Sequence, residues 1–228
     1  MEVESKPRIQ GEFHEYAFNQ EDIKQCWDMA YQFYDNVNYI ANNEDGTAHK
    51  VFDDFFNING TARPKEKVIE DAFRGKLGEK TWDQIISGWG GFPKQFKGFV
   101  DRRIARVNNQ GDGADFVYGS QRIGIKTAKW WNDWLIVPPY QVLGGKHDFF
   151  VSVVIEWNAG EEPFRGRVNG WVHVGKLGRK QYFYKKGSKI PGTKIELRND
   201  NYMVNVEDLR RDWIPFLQFL KWNMNCNE

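Results

Sequence analysis

Asp115 and Lys126 flank a hairpin signal. Residues 114–118 (Ala-Asp-Phe-Val-Tyr) read as a short strand, Gly119-Ser120 as a two-residue turn, and residues 121–127 as a second strand of alternating character. In a tight antiparallel pair the two outer ends lie side by side. A carboxylate and an ammonium there would hold a divalent cation and a scissile phosphate together. The cation would lower the pKa of a bound water, and the lysine would stabilise developing negative charge. Spacing alone describes a solvated aspartate and an edge lysine equally well. The setting of Lys126 adds weight, because it interrupts an otherwise apolar strand beside Ile123 and Ile125.

The elements that must position this pair are legible from hydrophobic spacing. Residues 21–40 place Ile23, Trp27, Ala30, Tyr31, Tyr34 and Val37 on one helical face. A second helix is predicted over 64–87, with Pro64 suited to a first turn. Its apolar stripe includes Val68, Ile69, Phe73, Leu77, Trp82, Ile85 and Ile86. Gly75 and Gly78 interrupt it at about 1 kcal/mol each relative to alanine. Close approach of another backbone would account for that cost. Strands are expected over 134–137, stopped by Pro138-Pro139, and over 148–155, whose continuous apolar character fits burial on both faces. Further strands are expected over 168–174, 181–184 and 202–206. A C-terminal helix opening at Val206 would carry Trp213, Phe216, Leu217 and Leu220. The pattern predicts an α/β (α+β) protein with a mixed central β-sheet and a helical N-terminal half. Residues 1–65 read as a helical region and 66–228 as the core with a β-rich and helical extension, together one compact domain.

Composition narrows the classes of function. The 228 residues are 40% hydrophobic and 28% charged, with a mean hydropathy of −0.69, as in a water-soluble globular protein. No apolar run approaches the roughly 20 residues of a membrane span. The charged N-terminus lacks the apolar core of a secretion signal, so a cytoplasmic location is expected. Two cysteines exclude a disulfide scaffold, and four scattered histidines show no zinc-binding spacing. The net charge of +1 excludes a uniformly basic nucleic-acid binder but leaves room for a local basic cleft.

In this region the chain resembles the PD-(D/E)xK nuclease superfamily, and within it small type II restriction endonucleases. The resemblance rests on Ala114-Asp115-Phe116-Val117, Arg122-Ile123-Gly124-Ile125-Lys126-Thr127, Leu135-Ile136-Val137-Pro138-Pro139-Tyr140-Gln141 and Asp148-Phe149-Phe150-Val151. It continues in Val168-Asn169-Gly170-Trp171-Val172 and in the stretch from Asn201 to Leu209, so it spans roughly residues 70–210. Each piece is loose, and their order carries the specificity. Upstream, Gly75-Lys76-Leu77-Gly78-Glu79 is similar to a helix that aims a glutamate at the metal site of such enzymes. The resemblance implies Mg2+-dependent hydrolysis of double-stranded DNA by a homodimer. It makes Asp115 a metal ligand, Lys126 the catalytic lysine, Glu79 an accessory acid and the Ile125 carbonyl a further ligand.

One position departs from the pattern. The middle acid of the motif falls on Gly124, which offers no side-chain ligand. Three readings follow: an inactive variant, which is the favoured one; an acid supplied from elsewhere, by Glu79 or Asp112; or a nuclease fold that binds DNA without cutting it. On the first reading, Gly124→Asp would create Mg2+-dependent cleavage. For DNA contact the candidates are Lys129, Trp130, Trp131 and Asn132 after the catalytic strand, together with Arg122, Arg102 and Arg103. Lys94 and Lys97 begin a basic stretch with two readings, phosphate contact or the solvated face of an amphipathic helix, and a second basic region runs from Arg165 to Lys186. A different class remains open, a β-rich module binding carbohydrate on Trp130, Trp131 and Trp134.

Overall fold

The computed structural model describes residues 8–10, 13–43, 57–58, 61–98, 114–130, 132–157 and 161–226. Along the chain run β1 (Arg8–Gln10), β2 (Phe13–Ala17), α1 (Gln20–Asn43), β3 (Asn57–Ile58), β4 (Thr61–Ala62) and α2 (Lys65–Gly88). Then come β5 (Phe116–Tyr118), β6 (Gln121–Lys129), β7 (Trp134–Val137), α3 (Pro139–Leu143), β8 (Phe149–Glu156) and β9 (Arg165–His173). The chain closes with α4 (Val174–Leu177), β10 (Phe183–Tyr184), β11 (Asn201–Asn205) and α5 (Trp213–Asn225). This is a mixed α/β architecture. Its centre is a six-stranded sheet ordered β1-β2-β9-β8-β6-β5. Within it β6 and β8 run parallel, and every other neighbouring pair is antiparallel.

Burial explains the layering. β8 is buried along nearly its whole length, as its apolar run predicts. One face of the sheet packs on α1, α2 and α5 through Ile123, Ile125, Phe149, Val151 and Val153. The other face, carrying Phe150 and Val172, packs on β7, β11, α3 and α4. There β10, β11 and β7 form a second, three-stranded sheet. No helix among the described residues is long and apolar enough to cross a membrane.

The N-terminal region is not purely helical. β2 pairs with β9 and so joins the central sheet, burying His14 and Tyr16 on its alternating face. The C-terminal helix begins at Trp213 rather than Val206. Residues 206–208 form a single 3-10 turn whose Glu207 N–H is capped by the Asn205 side chain. Arg210 then exchanges backbone hydrogen bonds with Trp171. Residues 92–98 carry no helix, so the amphipathic-helix reading of Lys94 and Lys97 does not hold there.

The two glycines of α2 have different surroundings. A Cβ on Gly78 would collide with the Thr127 side chain of β6, while a Cβ on Gly75 would meet nothing within 4 Å. A reciprocal contact lies nearby, where Gly166 of β9 leaves room for Thr81 of α2. Helix and sheet therefore interlock through glycine–threonine pairs of both polarities. Gly78→Ala is expected to cost about 1–3 kcal/mol by overpacking. Gly75→Ala is expected to gain about 0.5–1 kcal/mol from helix propensity. Urea unfolding of the two variants checks both signs, and nothing in the structure requires glycine at 75.

Candidate active site

The hairpin turns at Gly119, whose φ of 62° is a left-handed value open to glycine. Its register pairs Phe116 with Ile123 and Val117 with Arg122. Asp115 precedes β5 by one residue. The Ile125 N–H donates to Asp115 Oδ2 at 2.6 Å, which fixes the carboxylate against β6. The short edge strand β5 is itself anchored. Gln95 accepts the Val117 N–H at 3.0 Å and donates to the Val117 carbonyl at 2.7 Å. The backbone N–H groups of Gln95 and Phe96 donate in turn to the buried Asp83 of α2.

α2 also supplies Glu79, one residue beyond the Gly78–Thr127 contact. Lys76 donates to both Glu79 oxygens, at 2.6 and 2.8 Å, across an i,i+3 step. Residue 115 keeps an exposed outer surface, while its carboxylate tip is turned into the protein. Loss of hydration there, reinforced by the negative charge of Glu79, pushes the Asp115 carboxyl up to about 7. The positive charges of Lys126 and Lys76 and the Ile125 N–H oppose the rise. Asp115, Glu79, Lys126 and Lys76 thus share one electrostatic neighbourhood. The Lys126 ammonium also lies 5.8 Å from the Phe150 ring centroid.

Position 124 is closed by packing. A Cβ there would lie 2.8 Å from His147 Cδ2 and 2.8 Å from two ring carbons of Phe150. Both rings are buried, and they contact each other with centroids 4.9 Å apart. Burial and the neighbouring Lys126 charge push the His147 imidazole down to about 4, so it is neutral near pH 7. The glycine is therefore required by the packing of this face. Simple deletion of an acid would have left a vacancy, and the two rings fill that volume.

Among the described residues no three His, Cys, Asp or Glu side chains converge as a metal cluster. Two carboxylates remain, Asp115 and Glu79. Mg2+ commonly takes only one or two protein carboxylates and completes its shell with water and substrate phosphates. Burial is the larger cause of the raised Asp115 carboxyl, and the Glu79 charge adds to it. The residues present fit such an ion. Ile125 contributes its N–H to Asp115.

The DNA-contact candidates divide. Arg122 is not a free groove reader: its Nε and Nη2 donate to the Asp148 carboxylate at 3.0 Å each, and its Nη1 donates to the Gly145 carbonyl. It holds the loop before β8 instead. The Asn132 side chain accepts the Trp134 N–H at 3.1 Å and shapes the turn into β7. Trp130 is 49% exposed and follows Lys129, the last residue of β6. Trp131, Arg102, Arg103 and Asp112 lie outside the described residues. Trp134 packs inside the second sheet and donates to the Pro191 carbonyl, so it forms no open sugar platform. Sequence reasoning missed Lys76, Gln95 and His147. For Lys76 the i,i+3 spacing to Glu79 was a usable signal; for the other two the sequence carries none.

The chain matches no protein-family model, no curated protein and no solved structure.

Proposed function

We propose that this protein is a divalent-cation-dependent nuclease acting on double-stranded DNA, of restriction-endonuclease type in fold and as a homodimer. The supporting observation is the Asp115 carboxylate held at 2.6 Å by the Ile125 N–H of the strand that carries Lys126, on a sheet packed against the helix that carries Glu79. Asp115 and Glu79 would hold Mg2+, with Glu79 serving in place of an acid at 124. When bound, the ion supplies a more acidic water and offsets charge on the phosphate. The Ile125 N–H keeps Asp115 oriented. Lys126 steadies the charge that builds on the phosphate oxygens and orients the attacking water. Lys76 holds Glu79 in place until a cation competes for its carboxylate. The products would be a 5′-phosphate and a 3′-hydroxyl.

Incubation of the wild-type protein and Asp115→Asn with plasmid DNA and Mg2+ tests this reading. Discrete fragments from the wild type alone support it, and intact plasmid from both removes it. A second reading, DNA binding without cleavage on the same fold, is favoured by the closed position 124. Binding of duplex with no cleavage in any divalent cation would select it.

The raised Asp115 carboxyl gives a pH signature. Near pH 6 it is largely protonated, and near pH 8 largely ionised. Cation affinity is expected to rise across that interval, with a proton released on binding; calorimetry in buffers of different ionisation enthalpy counts it. Stability runs the other way. The folded value of about 7 lies above the ordinary 3.8, so the contribution is full below the lower value and lost as pH rises through the upper. Asp115→Asn, uncharged throughout, is expected to melt above the wild type at pH 8. Cation affinity independent of pH would remove Asp115 from the site.

A further inference from the structure

We infer that residues 174–200 form the principal phosphate-anchoring surface for duplex DNA, an inference that rests on the nuclease reading above. The segment holds eight lysines and arginines against two acids, a surplus of six positive charges. The whole chain carries only +1, so the other 201 residues carry five more acids than bases. Positive charge is therefore locally concentrated in this segment, within a chain that is otherwise net acidic.

The segment is an ordered scaffold. Ile190 and Leu197 are buried with Met203 against Trp134, Ile136 and Tyr184. Backbone hydrogen bonds tie Gly187 to Leu197, Leu197 to Ser188 and Ile190 to Ile195, at 2.8–2.9 Å. On this frame Arg179, Lys180, Lys185, Lys186, Lys189 and Lys194 are all exposed. None of the six forms a salt bridge among the described residues. By contrast, Arg122 is committed to Asp148 and Arg165 to Glu15 and Glu156.

The lobe packs on one face of the second sheet, against Trp134 and Ile136 of β7 and Met203 of β11. The opposite face of that sheet, with Leu135, Val137, Tyr202 and Val204, covers Phe150 of the central sheet. About six phosphates can be neutralised by a surface of this charge, and each contributes about 0.9 to the salt slope.

The test compares two variants for binding to a short duplex across a salt series, the quadruple Lys185→Gln, Lys186→Gln, Lys189→Gln, Lys194→Gln and the double Lys94→Gln, Lys97→Gln, beside Asp115→Asn. Circular dichroism and melting confirm that each is folded. The quadruple variant is expected to bind at least roughly tenfold more weakly and to lose about 3–4 units of the log–log salt slope. The Lys94/Lys97 double variant is expected to bind as the wild type does, and Asp115→Asn is read for cleavage alone. Unchanged affinity and slope in the quadruple variant would overturn the lobe assignment even if Asp115→Asn abolishes cleavage. Cleavage that survives Asp115→Asn would overturn the catalytic reading while leaving the lobe intact. No duplex binding by the wild type at low salt, or a preference for polyglutamate over DNA, would also overturn the lobe assignment.

Discussion

Lys126→Ala is expected to lower single-turnover cleavage of duplex DNA by roughly 10²–10³-fold, the usual loss when one preorganised charge-stabilising donor is removed. Asp115→Asn is expected to fall at least as far. Asparagine keeps an oxygen to accept the Ile125 N–H, so the hairpin stays closed and only the charge is lost. Glu79→Gln separates the two-carboxylate centre from a single-acid one. It is expected to weaken cation binding and to lower the Asp115 carboxyl towards its ordinary value, since the Glu79 charge is part of what raises it. A Glu79→Gln protein with wild-type cation affinity would return the second ligand to some other residue. All three variants can be read by quenched-flow cleavage and by cation calorimetry on the same preparations.

Gly124→Asp is expected to destabilise the protein by about 1–3 kcal/mol and to gain no cleavage. The new Cβ would press on two buried rings, His147 and Phe150. The motif alone suggests the opposite outcome, a restored metal ligand. Urea unfolding measures the cost. The double variant Gly124→Asp, His147→Ala relieves part of the crowding and is expected to recover some of it, giving a non-additive pair. Cleavage gained by Gly124→Asp alone, with full stability, would show that the rings yield and that the acid belongs there.

How much was legible in the chain follows from how local each signal is. Residues 134–137 and the helix beginning after Pro64 announce themselves through short-range pattern and flanking prolines, and the structure places both as expected. The hairpin that joins β5 to β6 is similarly local, because a two-residue turn sets the register. β2 is harder to see. Its inward residues are His14 and Tyr16, followed by the buried Phe18, and two of these three have polar atoms. The filling of position 124 is not legible at all. It depends on His147 arriving through the crossover that joins parallel strands β6 and β8, a relation that no spacing rule encodes. The polar partner of Arg122, Asp148, belongs to that same crossover. An arginine that looks available in the sequence is thereby withdrawn from solvent duty.

The meeting of Gly78 with Thr127 has a consequence for the reaction centre. Glu79 and Lys126 are the immediate chain neighbours of these two residues, one on the helix and one on the strand. The hydrogen-sized side chain on one partner and the branched hydroxyl on the other act as a caliper that sets the gap between acid and amine. Enlarging position 78 would spread the jaws, and shortening position 127 to serine or alanine would let them close. If the proposed nuclease reading holds, a change at 78 or 127 would alter cleavage through spacing alone, with every proposed reactive group still in place.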